Sequence, residues 1–366
     1  MNTILWTILT ALCSPFLFLE AMLRKRPERR NILIIQWAKL GDMVCTTPMF
    51  RAIRQAHPDW TVHLLCREQC LPVVSNNPFL DHVITHRGKR SALVRRLRRE
   101  RYDVVINCLP VAFWSMLGLW CGAPDRINTF SCRHGHIVRW ARLFNAVNVP
   151  FELRTRTFDH YLSLLSPLGI PAIPYALDFF PSSDDETKTA LWMNEHHLVD
   201  RSFACFNVSA GNVIKEWPAE KFTQLANFAI DHLNLTVVLS TLDRERIERI
   251  RKLSAHPEKI IDGSSLTLGQ MGALCKSTAA FVAVDTGPLF IAYAAGAPVV
   301  VIVGGSDPSQ QIPPEGERVI HVLPPQGCEP WMFVAASPRG ASVEQLRCIR
   351  ETSVEAVARA LKELCA

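Results

Sequence analysis

The 366-residue sequence lacks the signatures of two large classes of nucleotide-binding protein. It contains no GxGxxG with a downstream acidic residue for a ribose, and no GxxxxGK[ST]. Dinucleotide-dependent dehydrogenases and P-loop NTPases are therefore disfavoured. None of the twelve cysteines forms a CxxC pair, and several, such as Cys108 and Cys205, lie inside apolar runs. Because buried free cysteine behaves as a small hydrophobic residue, we expect a reducing compartment and no zinc site.

Charge is missing from the N-terminus, since no charged side chain precedes Glu20. The apolar run Thr3–Leu19 is followed by the basic cluster RKRPERR at Arg24–Arg30. As a helix, the nineteen residues before Glu20 would span about 28 Å, close to a bilayer core, with a kink at Pro15. A cleavable secretory signal is disfavoured because the basic cluster follows the apolar run, and the rest of the chain is expected in the cytoplasm.

We therefore predict that residues 1–30 form an apolar helix and basic cluster that associate with a membrane. The sequence leaves open whether this helix spans the bilayer or lies in its plane. The alternative is a soluble helix packed on the following domain.

Length and composition predict a folded protein of two domains. Hydrophobic residues make up 48% and charged residues 20%, and 366 residues are too many for one compact core. Residues 1–170 contain 23 Lys and Arg against 11 Asp and Glu, whereas residues 171–366 contain 17 against 23. A basic half beside an acidic half indicates that the first half faces an anionic partner.

From residue 31 onward, short apolar runs alternate with amphipathic stretches. Strands are expected at NILIIQWA, WTVHLLC, HVITH and DVVINCL, and again at FACFNVS, LTVVLST, AAFVAVD and PVVVIVGG. The pattern predicts two α/β domains with parallel sheets, at 31–170 and 187–366, joined by a proline-containing linker at 171–186. A closing C-terminal helix, SVEAVARALKEL, is predicted to begin at a capping box of Thr352 and Glu355.

In open parallel sheets, ligands bind beyond the carboxyl ends of the strands, and the first such segment is KLGDMVCTTP after the first strand. Gly41 is expected to allow a tight turn, which places Asp42 at the start of a helix facing the cleft. A carboxylate there accepts a proton from an alcohol, as a general base does. The alternative for Asp42 is a helix N-cap, a position that aspartate favours for local hydrogen bonding.

The segment SAGNVIKEWPAEKF follows the first strand of the second half. Its small residues, among them Ser209 and Gly211, come directly after that strand, and Pro218 marks the first turn of a helix. Lys215 lies just before the turn. Backbone N–H groups with a nearby ammonium suit a diphosphate, and a solvated lysine is the alternative.

The third strand end is AVDTGPLFIAYAAG, where Asp285, Thr286 and Gly287 follow a strand and Pro288 opens a helix. The free N–H groups at the start of that helix, together with the Thr286 hydroxyl, predict an anion site.

Taken together, these segments resemble glycosyltransferase family 9, the ADP-heptose:lipopolysaccharide heptosyltransferases. The resemblance covers residue 31 to the C-terminus and is carried by KLGDMVCTTP, by KEWPAEKF and by VAVDTGPLFIAYAAGAPVVVIVGGSDP. It implies the GT-B fold of two facing Rossmann-like domains, with the acceptor bound by the N-terminal domain and the donor by the C-terminal domain. It also implies inversion at the anomeric carbon, with no cofactor and no bound metal.

Carried over by position, Asp42 resembles the catalytic base, with Lys39 and Gly41 beside it assigned to the acceptor. Lys215 resembles the lysine that holds the donor phosphates. The donor-binding set is Ser209, Gly211, Lys215, Asp285, Thr286 and Gly287. The implied partners are a nucleotide-sugar donor, most simply ADP-heptose, a glycolipid acceptor of the lipopolysaccharide core and a membrane surface, without nucleic acid. The implied location is the cytoplasmic face of the bacterial inner membrane.

Two positions depart from the family pattern. Phe290 stands where the family commonly has a histidine, and Gly305 in GGSDP stands where the family usually has proline. The first difference removes a donor contact and leaves the sugar and nucleotide open. Two other functions remain open: a nucleotide-sugar epimerase, which needs a second acid–base residue near Asp42, and a non-catalytic glycan- or lipid-binding protein.

Overall fold

The computed structural model describes residues 3–131, 136–152, 154–172, 176–331 and 341–366. The chain divides into two compact units, Met1–Leu177 and Asp178–Ala366. Each unit contains one sheet of six parallel strands, which confirms the predicted α/β architecture.

The N-terminal unit follows the strand–helix alternation of its sequence. Its strands are β1 (Asn31–Gln36), β2 (Thr61–Cys66), β3 (His82–Thr85), β4 (Val104–Asn107), β5 (Asp125–Phe130) and β6 (Val147–Pro150). Its helices are α1 (Thr3–Leu23), α2 (Leu40–Ala56), α3 (Leu71–Val74), α4 (Arg90–Arg99), α5 (Ala112–Trp120), α6 (His136–Ala141) and α7 (Thr157–Ser163).

The sheet of this unit has the order β3-β2-β1-β4-β5-β6. The central strands β1 and β4 are almost fully buried, as expected for strands covered by helices on both faces. The strand order reverses between β1 and β4, and in such sheets the ligand crevice lies at that reversal, beyond the carboxyl ends of the two strands. Residues that follow β1 therefore stand at the expected binding position.

The C-terminal unit has the same plan. Its strands are β7 (Phe203–Asn207), β8 (Thr236–Leu239), β9 (Ile260–Asp262), β10 (Ala280–Val284), β11 (Val299–Ile302) and β12 (Val319–Val322). Its helices are α8 (Ser183–Glu195), α9 (Ala219–Leu233), α10 (Arg244–Leu253), α11 (Leu268–Cys275), α12 (Gly287–Ala294), α13 (Pro308–Gln311), α14 (Val343–Arg350) and α15 (Val354–Leu364). The order is β12-β11-β10-β7-β8-β9, so the reversal lies between β7 and β10.

Three local predictions need correction. Helix α2 begins at Leu40, so Gly41 lies inside its first turn and no tight turn precedes Asp42. The last helix is capped by Ser353, whose hydroxyl accepts from the Ala356 N–H, whereas the predicted Thr352 is buried. The last residues of the predicted linker belong to α8, because Ser182 and Asp185 form a capping box there.

The N-terminal helix α1 is long and apolar enough to cross a membrane, by length and composition. It does not stand apart from the N-terminal unit. Trp6 and Leu17 belong to the same hydrophobic core as Leu33 of β1 and Phe113 of α5. The predicted apolar helix is therefore present, and one of its faces is packed on the domain.

Candidate functional site

Asp42 is the third residue of α2, directly beyond the carboxyl end of β1. The N-cap is Lys39, with extended backbone and no side-chain cap bond, so the alternative of Asp42 as N-cap is wrong. Lys39 is exposed, and both Gly41 and Asp42 are half-buried. A carboxylate in the first turn interacts favourably with the helix dipole, which stabilises its charged form at this position.

The Asp42 carboxylate accepts a hydrogen bond from the Tyr161 hydroxyl, with an O–O distance of 3.1 Å. Tyr161 lies on α7 and is 1% exposed. Burial, followed by the charge of Asp42, raises the pKa of Tyr161 well above its ordinary value. The phenol is therefore neutral at physiological pH and acts as a donor to Asp42. Tyr161 could not be predicted from the sequence, because it comes to the site from another helix.

The loop before α2 is held by polar contacts of Gln36 and Arg67. Gln36, fully buried at the end of β1, donates to the Thr46 hydroxyl (2.7 Å) and accepts from the Ala38 N–H (3.3 Å). Arg67 donates to the Trp37 carbonyl at 2.7 Å. These bonds fix Trp37 and Ala38, the two residues that precede Lys39.

The TTP sequence explains how α2 tolerates an internal proline. Pro48 has no N–H for the carbonyl four residues earlier, that of Val44. The Thr47 hydroxyl donates to this carbonyl at 2.8 Å. The helix that presents Asp42 therefore continues through Pro48 to Ala56.

In the C-terminal unit, Lys215 and Asp285 form an ion pair, with the Lys215 ammonium 2.5 Å from Asp285 Oδ2. Both side chains are largely buried, at 16% and 12% exposure. The Ser306 hydroxyl donates to the same Asp285 oxygen at 2.7 Å. The three residues follow β7, β10 and β11, so the predicted pair is brought together at the strand ends. Ser306 was not among the predicted site residues, although its position directly after the two glycines of GGSDP could have indicated it.

Helix α12 begins at Gly287, with Thr286 as its N-cap. The Thr286 side chain makes no cap hydrogen bond and instead donates to the Asn207 side-chain oxygen, at 3.4 Å. Pro288 is the second residue of the helix and has no N–H to satisfy. The start of α12, without a side-chain cap, therefore presents its N–H groups beside Asp285 at the β7/β10 reversal.

The loop after β7 carries the other predicted donor residues. The Ser209 and Thr241 hydroxyls are hydrogen-bonded to each other. Gly211 is exposed, and a Cβ added there would meet nothing within 4 Å. The Ala210 N–H donates to Glu216 at 3.1 Å, and Glu216 pairs with Arg246 at 3.1 Å. The loop is thus held by the contacts of Ala210 and Glu216, and its backbone is exposed at Gly211.

The two departures from the family pattern have different surroundings. Phe290 is 6% exposed on α12. A Cβ at Gly305 would lie 2.1 Å from the indole nitrogen of Trp331, and the backbone N–H of Trp331 donates to the Gly305 carbonyl at 3.0 Å. The Trp331 ring therefore occupies the space that a proline at 305 would need. Among the described residues, no group of three His, Cys, Asp or Glu is arranged to hold a metal ion.

The fold of this chain is similar to that of solved heptosyltransferase structures. Escherichia coli ADP-heptose lps heptosyltransferase II matches with a TM-score of 0.73 at 22% identity, over 92% of this chain and 98% of that one. The E. coli heptosyltransferase WaaC with ADP-2-deoxy-2-fluoro heptose matches with a TM-score of 0.67 at 17% identity, over 91% and 99%. These similarities confirm the predicted GT-B fold.

The sequence is also similar to curated heptosyltransferases. Lipopolysaccharide heptosyltransferase 3 of E. coli K12 is 26% identical over 288 residues, which cover 73% of this chain and 80% of that protein. Residues 90–333, well over half of the chain, match glycosyltransferase family 9 (heptosyltransferase). The predicted enzyme class is thereby confirmed: the chain is a glycosyltransferase and belongs to glycosyltransferase family 9.

Proposed function

We propose that this glycosyltransferase moves heptose from ADP-heptose onto a lipopolysaccharide-core acceptor, with inversion at the anomeric carbon. The names of its relatives, lipopolysaccharide heptosyltransferases 2 and 3, support this donor and this class of acceptor. Solved relatives contain ADP or an ADP-heptose analogue. In this proposal the C-terminal unit binds the donor and the N-terminal unit binds the acceptor.

The observation that carries the proposal is the Lys215–Asp285–Ser306 cluster beside the uncapped start of α12. An ammonium and helix N–H groups together bind a diphosphate. A carboxylate would repel the diphosphate, so Asp285 acts by holding Lys215, whose ammonium has three N–H donors and keeps two for phosphate oxygens. Ser209, Gly211, Thr286 and Gly287 line the same strand ends and complete the proposed donor site.

Asp42 is the proposed general base. It takes the proton of the acceptor hydroxyl while that oxygen forms a bond to C1 of the heptose, and the C1–O bond to ADP breaks with the electron pair leaving on the diphosphate. Lys215 and the α12 N–H groups stabilise the charge that develops there. Tyr161 holds the carboxylate in position, and Lys39 and Gly41 lie on the proposed acceptor side. The mechanism uses no cofactor and no bound metal.

A lipid-linked acceptor places the reaction at a membrane, and we assign it to the cytoplasmic face of the bacterial inner membrane. The net positive charge of residues 1–170 suits the phosphorylated acceptor. The basic cluster after α1 is typical of cytoplasmic segments that follow a membrane-associated helix.

The decisive experiment supplies the purified chain with ADP-heptose or UDP-sugars and heptose-deficient lipopolysaccharide core. The expected result is acceptor-dependent ADP release from ADP-heptose alone, with a product of inverted anomeric configuration by NMR. Asp42→Asn serves as the inactive control. Transfer from a UDP-sugar would reject the donor, and a product of retained configuration would reject the displacement mechanism.

A further inference from the structure

Helix α1 is fixed along the N-terminal unit by one of its faces. Trp6 packs edge-on against Phe113 and Trp120, with ring centroids 5.4 and 5.5 Å apart. Thr10, Leu17 and Ala21 are also buried on this face. With Trp6, they are separated by four, seven and four positions along the chain, which is the spacing of one helical stripe. The domain therefore covers one side of α1 from its first turns to its last.

Polar contacts hold this helix at its middle and at its C-terminal end. The Trp120 indole N–H donates to the Thr10 hydroxyl at 2.8 Å, and Arg98 donates to both oxygens of Glu20, at 2.7 and 2.8 Å. Arg24, just after the helix, donates to the carbonyls of Tyr102 and Gly122, at 2.9 and 3.1 Å. A helix crossing the bilayer away from the domain would lose these contacts and expose the Trp6 stripe.

The Gly122 backbone allows the close approach of α1. Its φ is +68°, in the left-handed region, and an added Cβ would lie 3.0 Å from a Glu20 oxygen. A side chain at position 122 would be strained by this backbone conformation and would also crowd the Glu20 carboxylate. Glycine at position 122 thus permits the observed packing of α1 on the N-terminal unit.

The opposite face of α1 is apolar and uncovered in the described residues. Its large exposed side chains are Ile4, Leu5, Ile8, Leu12, Phe16, Leu19, Met22 and Leu23. The neighbouring helix α6 and the turn after it add Ile137, Trp140 and Leu143, also exposed. An apolar surface of this size is unusual for a soluble monomer and marks an interaction surface.

Charge identifies the occupant of this surface as an anionic bilayer. The only acidic residue of α1, Glu20, is paired with Arg98. Lys25 is exposed directly after the helix, as are Arg26 and Arg29, which pair with Asp125 and Asp59. Three further exposed cations, Arg95, Arg96 and Arg99, lie on α4, the helix that carries Arg98. An apolar face bordered by cationic side chains is the composition of a helix that lies in the lipid interface, with its charges at the headgroups.

We infer that α1 is an in-plane membrane helix: it stays docked on its domain and inserts its exposed face, together with the α6 face, into one leaflet of an anionic membrane. The inference deepens the membrane part of the proposed function. Its tests use neither donor nor acceptor, so their failure is distinct from a failure of heptosyl transfer.

The first test is sedimentation of the full chain with phosphatidylcholine–phosphatidylglycerol vesicles. Leu12→Glu with Phe16→Glu should weaken vesicle binding at least about tenfold, because each change removes a large inserted side chain. The matched control, Leu191→Glu with Leu242→Glu, places the same charges at exposed leucines of the C-terminal unit and should bind as wild type. Equal binding by both variants at equal melting temperature overturns the inference.

The second test separates an in-plane helix from a spanning one. The chain carries an N-terminal epitope tag and is expressed in cells, from which sealed inside-out membrane vesicles are prepared. Added protease should remove the tag, because an in-plane helix keeps the N-terminus on the same side as the domain. A tag that is protected until detergent is added shows a spanning helix and overturns the inference. A second outcome also overturns the inference. In it, the wild-type chain is a dimer in the absence of vesicles, and Leu12→Glu with Phe16→Glu is monomeric but binds vesicles as wild type does.

Discussion

The contact between Tyr161 and Asp42 gives the sharpest test of the proposed mechanism. Tyr161→Phe removes one hydroxyl that donates to the Asp42 carboxylate at 3.1 Å. The ring is 1% exposed, and phenylalanine keeps its packing. The change therefore removes one hydrogen bond to a charged acceptor, together with the hydrogen bond between the hydroxyl and Gln36, and leaves the packing of the ring in place.

The sign of the effect follows from the charge of the base. A donor to a carboxylate favours its ionised form, so removing the donor favours protonation, and the base then needs a higher pH to work. A hydrogen bond to a charged group contributes about 1.5–3 kcal/mol, and Asp42 is half-buried with solvent to compensate in part. We expect the acidic limb of the kcat/KM profile to move up by about one pH unit, since one unit is about 1.4 kcal/mol. Above that limb, kcat should fall less than about tenfold.

The assay is kcat/KM for heptosyl transfer from acidic to mildly alkaline pH, with Tyr102→Phe as the matched control. Tyr102 is equally buried in the same unit, and its hydroxyl bonds to His63 at 2.9 Å, not to Asp42. The control should lose stability without moving the limb. If Tyr161→Phe leaves the limb in place while Asp42→Asn is inactive, Tyr161 has no influence on the base and the reasoning is refuted.

Three further outcomes are expected. Asp42→Asn should retain less than about a tenth of kcat with almost unchanged ADP affinity, and its melting temperature should fall only slightly, because a first-turn carboxylate contributes about 0.3–1 kcal/mol. Lys215→Ala should weaken ADP binding measured by calorimetry, and the loss should shrink as salt rises; unchanged affinity would remove Lys215 from the donor site. Burial lowers the pKa of His160 from 6.5 to about 4, so the folded state favours the neutral imidazole. The contribution of this preference to the free energy of unfolding is lost as pH falls from 6.5 towards 4. Urea unfolding at both ends of that range should show a loss larger by up to about 3 kcal/mol in wild type than in His160→Gln, and equal losses would contradict the assignment.

Most of the strands that the sequence predicts have continuous apolar runs, with the short edge strand β3 (HVIT) as an exception. The eight expected strands include β1, β4, β7 and β10, which form the centres of the two sheets. The four that were missed are β5 (DRINTF), β6 (VNVP), β9 (IID) and β12 (VIHV). They lie towards the edges of the sheets, and several are short or carry polar side chains, so their apolar pattern is too weak to recognise.

The residues of the candidate site likewise fall into those that the sequence predicts and those that it does not. Residues that directly follow predicted strands, such as Lys215 and Asp285, could be proposed because parallel strands end at one edge of the sheet. Tyr161 lies 119 positions beyond Asp42, on a helix whose place depends on packing across the unit. No local pattern reports such a contact. The tight turn expected at Gly41 was wrong because the helix begins one residue earlier, at Leu40.

One of the two departures from the family pattern, Gly305, directly precedes Ser306 of the proposed donor site. Because the Trp331 ring fills the space beside Gly305, glycine at 305 and tryptophan at 331 depend on each other. Ser306, the next residue, donates to Asp285, which in turn holds Lys215. The indole therefore lies next to the segment that carries Ser306, and the proposed anion-binding cluster of Lys215, Asp285 and Ser306 is complete. The residues proposed to bind the diphosphate are retained, so we propose that the two departures, Gly305 with Trp331 and Phe290, affect the choice of sugar and not the binding of the diphosphate.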